Sequence, residues 1–204
     1  MPRDKTINHE KIIDAACKEF LEYGFQDASM RRIASECGMS ASGLYKHFES
    51  KEDMFAALVD PAINGLYELY HELETENKNA LETIESDALW SEQSDTVNIM
   101  SYVFDHIDEF TLIISKSQGT RYERFIHDVA RLEEQTTIRY MKELKKAGRK
   151  VNVISRKEFH LLVTSQIEAM FQVVVHGFSR KEAIHYAETL DKFYLSAWET
   201  FFTK

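Results

Sequence analysis

Residues 29–51 read SMRRIASECGMSASGLYKHFESK. Behind Ser29, the apolar positions Ile33, Ala34 and Cys37 recur at helical spacing. The spacing predicts a short helix, Met30 to Cys37, capped by the Ser29 side chain. Gly38 and Met39 predict a tight break, because glycine takes up the left-handed backbone that ends a helix without a steric penalty. Ser40 is placed to cap another helix through Leu44, Tyr45 and Phe48, and Ser50 to open a further one, with Asp53 in capping-box register. Helix, glycine turn and helix make a helix-turn-helix over about 29–48. Ile33, Ala34, Cys37, Met39, Leu44 and Phe48 are its expected internal packing. Ser40, Ala41, Ser42, Gly43, Tyr45, Lys46 and His47 are left for the outer face and first turn of the second helix. In such motifs that is the part laid against base edges in the major groove of DNA.

Upstream, apolar residues at 12, 13, 16, 17, 20 and 21 predict a helix ending at Gly24. Downstream, a helix is expected from Lys51 into the low seventies, kinked at Pro61 or joined there to another element, and ended by the polar residues 74–79. Residues 80–115 read as two helices, and Ser117–Thr120 as a loop. Thr120 with Glu123 signals a capping box opening a long helix to about Lys146, which Gly148 ends. Two helices close the chain, at about 155–177 and 180–202. The last carries a seam at 183, 187, 190, 194, 197 and 201 in alternating steps of four and three. The one before it is apolar on most sides, which a single packed face does not explain. A homodimer interface of Met170, Val174, Ala183, Ala187, Leu190, Tyr194, Ala197 and Phe201 is therefore expected, the alternative being a monomer with a thick core. The predicted fold is all-α, with about nine helices: a helix-turn-helix domain over 1–52 and a C-terminal helical domain over 53–204.

Composition supports this. The 204 residues include only 2 prolines and 7 glycines, too few turn formers for a β-sandwich or barrel. The 2 cysteines, Cys17 and Cys37, make no disulfide framework and no C-x-x-C pair. They read as buried fillers of the small domain. The first residues lack the apolar core of a signal peptide, and the longest weakly charged stretch, 160–178, holds Gln166, Glu168 and Gln172, which makes it a poor membrane span. A cytoplasmic protein with no membrane partner is expected. Net charge is −9, yet residues 1–51 balance to zero, so the N-terminal part is neutral and the remainder acidic. An acidic body is repelled by nucleic acid and would orient the neutral part towards it. No G-x-S-x-G, glycine-rich phosphate loop, H-E-x-x-H or Cys/His ligand spacing occurs, so no enzyme, metal or cofactor is expected.

The run Ile33-Ala34, Gly38-Met39-Ser40, Gly43-Leu44-Tyr45, His47-Phe48 and Ser50-Lys51-Glu52 resembles, in order and spacing, the DNA-binding signature of the TetR family of transcriptional regulators, over about residues 9–58. Beyond that the likeness is one of layout, although the segment Lys116–Glu123 is similar to one in uncharacterised bacterial members. The resemblance implies a homodimeric repressor that binds a near-palindromic double-stranded operator and is released by a small-molecule effector. By position it implies phosphate contacts for Arg31 and Lys51 and backbone contacts for Tyr45 and His47. Ser40 and Ser42 would reach phosphates or bases, Lys46 guanine, and Ala41 a thymine methyl. This chain departs from commoner members, which often carry Lys at 41 and Thr or Ser at 43, where it has Ala41 and Gly43. Few base-reading donors remain, which shifts selectivity towards backbone contacts and DNA shape.

Tyr67, Tyr102, Phe104 and Phe125 lie in helices that usually enclose the family's effector pocket. The row Thr164, Glu168, Gln172, His176 puts polar groups along one side of an apolar helix. Two readings of the row stand: Glu168 and Gln172 enter the effector cavity, or the row is solvated or bonded across the dimer. A different class of function, a non-catalytic helical protein-interaction dimer, accounts for the apolar C-terminal helices but not for the spacing within 29–51.

Overall fold

Ile12, Ala16 and Phe20 follow at four-residue steps on helix α1 (Lys5–Asp27) and are wholly buried, as expected for one face of a helix. The computed structural model describes residues 5–83, 95–146, 148, 150–152, 154–199 and 202–203. Gly24 (φ 74°, ψ 168°) breaks the helix where the sequence predicts its end, and a further turn follows across the kink, with the Ala28 amide donating to the Gly24 carbonyl at 3.1 Å. Next come α2 (Met30–Glu36), the short α3 (Ala41–Leu44) and α4 (Lys51–Thr83). At 33 residues α4 is about 50 Å long. It runs through Pro61 and past the polar residues 74–79 that were expected to end it. Polarity alone does not stop a helix: Glu, Lys and Ala at 76, 78 and 80 all have good helix propensity.

Then follow α5 (Asp95–Asp105), α6 (Ile107–Thr111), a π turn over Leu112–Lys116, a 3-10 turn over Arg121–Arg124, α7 (Phe125–Lys146), α8 (Arg156–Val175) and α9 (Arg180–Glu199). The fold is all-α, as predicted. Two-residue strands β1 (Lys150–Val151) and β2 (Phe202–Thr203) add a small antiparallel pairing, with Lys150 opposite Thr203. The Thr120–Glu123 box does not form as expected. Glu123 accepts instead from the Gly119 amide at 3.1 Å, and the Thr120 hydroxyl takes the Tyr122 amide, so a 3-10 turn precedes α7. A full capping box occurs at Ser155 and Glu158, opening α8. At the other end of α8 the Phe178 and Gly177 amides return to the Val173 and Val174 carbonyls, a Schellman closure.

The chain divides into two compact units. The first comprises Met1–His71 with Asp105–Glu123, wider than the 1–52 of the motif-bearing domain. Its core joins α1, α2, α3, the start of α4 and the α6 segment. Phe20 meets Phe55 edge-on at 5.1 Å, Phe25 meets Phe55 at 5.5 Å, and Tyr122 closes on Phe55 at 5.7 Å. The Tyr122 hydroxyl donates to Asp60 at 2.6 Å, and Arg121 bonds the same carboxylate at 3.0 Å, fastening the turn to α4. Burial and that bond push the Tyr122 phenol up to about 12. The segment Lys116–Glu123 is thus part of the unit that carries the helix-turn-helix.

The second unit comprises Glu72–Phe104 with Arg124–Lys204. Phe125 of α7 packs edge-on to Phe171 of α8 at 5.7 Å. Glu134, buried on α7, accepts from Arg156 at 3.4 Å and bonds His160 at 2.9 Å, both on α8. Trp198 of α9 donates to Gln166 at 2.9 Å and lies edge-on to Phe159. Ala183 and Ala187 are fully buried on α9, as are Phe159, Val163 and Phe171 on α8 to within a few per cent.

Truncating Phe20 to Ala removes the ring shared by Phe25 and Phe55. The expected loss of stability is about 3–5 kcal/mol, measured by urea unfolding against the unaltered chain.

Candidate nucleic-acid interface

The turn between α2 and α3 is built by backbone bonds. The Met39 amide donates to the Ala34 carbonyl at 2.9 Å and the Gly38 amide to Ser35 at 3.0 Å, with Gly38 at φ +69°. This is a Schellman closure, and it needs the left-handed residue that glycine supplies. Ser40 follows in extended backbone and its hydroxyl accepts the Gly43 amide at 3.1 Å, as the sequence predicts. After Leu44 the coil tightens, with Lys46 and His47 amides donating three residues back to Gly43 and Leu44. Leu44 is fully buried and Phe48 nearly so, with His9 stacked on Phe48 at 5.5 Å. Ile33 and Ala34 are buried too; Cys37 and Met39 are half-buried.

Packing on that side turns the other side outward. Tyr45 is 49% exposed, and Ser40, Ser42, Lys46 and His47 are exposed. Ala41 and Gly43 are half-buried between them. Arg31, at the start of α2, is exposed as well. Among the described residues, none hydrogen-bonds to or pairs with the side chains of Arg31, Tyr45, Lys46 or His47. The serines differ. Ser40 holds the Gly43 amide and lies 3.1 Å from the Ser42 hydroxyl, so both are already engaged within the turn.

Lys51, half-buried at the start of α4, is also engaged. Its ammonium donates to the Gln26 and Ala28 carbonyls at 3.0 and 3.1 Å and lies 4.7 Å from the centre of the Phe25 ring. An ammonium has three donors, so one is left for an anion. Lys51 therefore ties the end of α1 to α4 whatever else it does. Ser50 accepts the Asp53 amide at 3.0 Å and returns its own hydroxyl proton to the Asp53 carboxylate at 2.8 Å, a variant of the expected box.

Two residues given no role from the sequence organise the corner between α1 and α2. Glu19, only 8% exposed, accepts the Ser29 amide at 2.7 Å and Arg32 Nε at 2.8 Å. The Ser29 side chain makes no capping bond, contrary to expectation, because the carboxylate from α1 holds the entry of α2 instead. A polar residue in the α1 stripe was the available signal: Glu19 sits seven residues after Ile12 and one before Phe20, on the core face. The two thiols are half-buried rather than buried. Burial, with Asp108 and Glu109 nearby, pushes Cys17 up to about 11, and burial first of all raises Cys37, so neither is poised as a thiolate.

The remaining sequence-predicted residues separate into groups. Glu168 and Gln172 are exposed on α8, as is His176 beyond it, so they do not line a cavity enclosed within this chain. Thr164, the first of the row, is half-buried with its hydroxyl enclosed, so the row is not exposed along its whole length. Tyr67 belongs to the first unit, half-buried; Tyr102 and Phe104, half-buried, and Phe125, buried, belong to the second. The residues expected at the dimer seam also divide. Met170, Val174, Ala183, Ala187 and Leu190 are buried within the single chain, where they serve the core of the second unit. Tyr194 is half-buried, Ala197 exposed, and Phe201 lies outside the described residues. The alternating seam marked the inner face of α9. The outer face of the pair instead shows Leu161 at 67% and Phe193 at 68% exposure, with Leu162, Val175 and Phe178 also exposed.

Residues 12–58 match the family model described as bacterial regulatory proteins, tetR family. Over 64 residues the chain is 36% identical to a helix-turn-helix-type transcriptional regulator of Staphylococcus aureus (strain bovine RF122 / ET3-1), covering 31% of this chain and 35% of that protein. A second such regulator, from strain USA300, is 41% identical over 54 residues, 26% of this chain and 29% of its own length. The chain thus spans about a third of the length of the curated relatives it matches. In fold the likeness is chain-wide. MexZ, a repressor of Pseudomonas aeruginosa, superposes with a TM-score of 0.60 at 13% identity, over 98% of this chain and all of its own. NalD, a secondary repressor of a multidrug efflux pump in the same organism, gives 0.56 at 16% identity over 93% of this chain and 97% of its own. Residues 12–58 are thus similar to the N-terminal region of the tetR family of bacterial regulatory proteins, and the whole chain shares its fold with solved repressors.

The two glycines of the motif should respond to alanine with opposite signs. Gly38→Ala forces a side chain into a positive φ and should cost about 1–2 kcal/mol. At Gly43 a Cβ would meet only ordinary neighbours, the Ser40 hydroxyl at 3.4 Å and Met39 at 3.8 Å, so Gly43→Ala should stabilise by roughly 0.5–1 kcal/mol. Thermal unfolding of the two variants beside the parent decides it.

Proposed function

We propose that this chain is a DNA-binding transcriptional regulator, a homodimeric repressor released from a near-palindromic operator by a small-molecule effector. The observation that carries the reading is the side of the turn and α3 left free by packing. Tyr45, Lys46 and His47 stand exposed and unpartnered behind a rigid Schellman turn, with Arg31 exposed on α2. Lys46 is suited to guanine O6/N7, and Arg31, Tyr45 and His47 to the phosphate backbone. Ser40, Ala41, Ser42 and Gly43 form the close-approach surface, where small residues admit the groove wall. Lys51 offers its remaining donor to a phosphate at the start of α4.

Dimerisation belongs to the same proposal, through the outer face of α8 and α9 rather than the inner seam. Leu161, Leu162, Val175, Phe178 and Phe193 leave apolar area in water that a second copy would cover. Two heads on one face of the duplex would read half-sites spaced by about 34–36 Å or multiples of it. For the effector, Tyr102, Phe104 and Phe125 supply aromatic material in the second unit. An effector releases the operator only by binding the non-reading arrangement better.

Two experiments test this. Genomic fragments bound by the purified protein are recovered and the binding repeated with Tyr45→Ala, Lys46→Ala, a pair that leaves the Lys51 anchor untouched. The expected outcome is one near-palindromic site, lost by at least tenfold in the folded double variant and weakening steeply with salt. Equal binding by the double variant removes the head from the reading. Separately, Leu161→Glu with Phe193→Glu should convert the dimer to a folded monomer in sedimentation; a dimer that persists places the interface elsewhere.

A further inference from the structure

Arg31 and Arg32 are consecutive, and both side chains reach the surface of α2, yet their surroundings differ. Arg31 has no partner among the described residues. Arg32 is committed. Its Nε donates to both oxygens of Glu19, at 2.8 and 3.1 Å, its Nη2 pairs with the same carboxylate and donates to the Asp27 carbonyl at 2.9 Å. The guanidinium also lies 4.2 Å from the centre of the Tyr23 ring. The bond to Glu19 raises the guanidinium further above its ordinary range, so its charge is permanent. The carboxylate is 8% exposed and occupies a core-face position of α1 between Ala16 and Phe20. A carboxylate buried there without its cation is strongly unfavourable, so the two groups stay together.

The same carboxylate oxygen that holds Arg32 accepts the Ser29 amide, the entry to α2. One group on α1 therefore sets both the first residue and the first turn of the helix against which α3 packs. We infer that Glu19 and Arg32 are a positioning pair for the reading surface. They orient α2, and through Ile33 and Ala34 the α3 face, while withholding Arg32 from the duplex, so that of the two neighbouring arginines only Arg31 neutralises a phosphate. The inference rests on the DNA-binding reading above and concerns how that surface is held.

Salt dependence separates positioning from contact, because each phosphate neutralised steepens the slope of log affinity against log salt by nearly one. Binding of the full-length protein is titrated on the recovered fragment and on a mixed-sequence 30-base-pair duplex. The variants are Arg31→Ala, Arg32→Ala, Arg32→Lys and the neutral pair Glu19→Gln, Arg32→Gln, each checked for native helix content by circular dichroism. The neutral pair leaves no buried charge uncompensated and keeps a polar side chain at both positions, so it reports even where Arg32→Ala fails to fold. Arg31→Ala is expected to flatten the slope by about one per subunit. The neutral pair, and Arg32→Ala where folded, are expected to lose about tenfold in affinity for the recovered fragment with the slope unchanged. Arg32→Lys keeps the charge but not the two-pronged geometry, and is expected to restore little. A slope flattened in the Arg32→Ala or neutral-pair variant and restored by Arg32→Lys would make Arg32 a phosphate contact and overturn the inference. Unchanged affinity in the neutral pair would overturn it too. Failure of the DNA-binding reading itself looks different: the parent protein then binds neither duplex in a way that depends on Tyr45 and Lys46.

Discussion

A helix of four residues has no stability of its own. Isolated helices are marginal even at three times that length, and α3 is only Ala41–Leu44. Its geometry is borrowed, from the buried Leu44 and Phe48 beneath it, from the Schellman bonds at Gly38 and from the Ser40 cap. Everything assigned to the exposed side depends on that packing. If α3 frayed, Tyr45, Lys46 and His47 would lose a common face. The aromatic core of Phe20, Phe25, Phe55 and Tyr122, with the buried Glu19 carboxylate at the α1–α2 corner, anchors the scaffold to which α3 is attached.

Charge acts on this scaffold by placement rather than by quantity. Residues 1–51 carry no net charge and the chain as a whole carries −9. Within the head the basic groups have been sorted. Arg32 is neutralised by Glu19, Lys18 faces Glu36 at 3.8 Å, and Lys51 is turned towards backbone carbonyls. Arg31 and Lys46 are left facing water on the side that packing exposes. A head with few free cations binds phosphates weakly away from a well-fitted site, which favours selectivity over general affinity for nucleic acid.

The helix-turn-helix was legible because its determinants are local. Gly38, Ser40, Leu44 and Phe48 act within ten residues of one another, and the structure puts each in its expected conformation or burial. Where determinants are long-range, the sequence read differently. The seam Ala183, Ala187, Leu190 has the periodicity of an interface, but periodicity reports only that a face is buried, and these three are already buried within the single chain. Glu168 and Gln172 stood out as polar groups on an apolar helix, and both are exposed in the single chain. Glu19 and Arg32 lie thirteen positions apart and form a pair only through the α1–α2 corner. A buried carboxylate is hidden among ordinary surface glutamates until its burial is known. Likewise the role of the Lys116–Glu123 segment, fastened to Asp60 and Glu52 of α4, depends on bonds spanning more than sixty residues.

The central claim is that the face formed by residues 40–47 with Arg31 is the surface that meets DNA. Backbone amide resonances of the protein titrated with its recovered duplex test it most directly. The account predicts the largest shifts at Ser40 through His47 and around Arg31, with the outer faces of α8 and α9 unmoved. Shifts centred on Leu161, Val175 and Phe193, with the α3 amides unchanged, would contradict it.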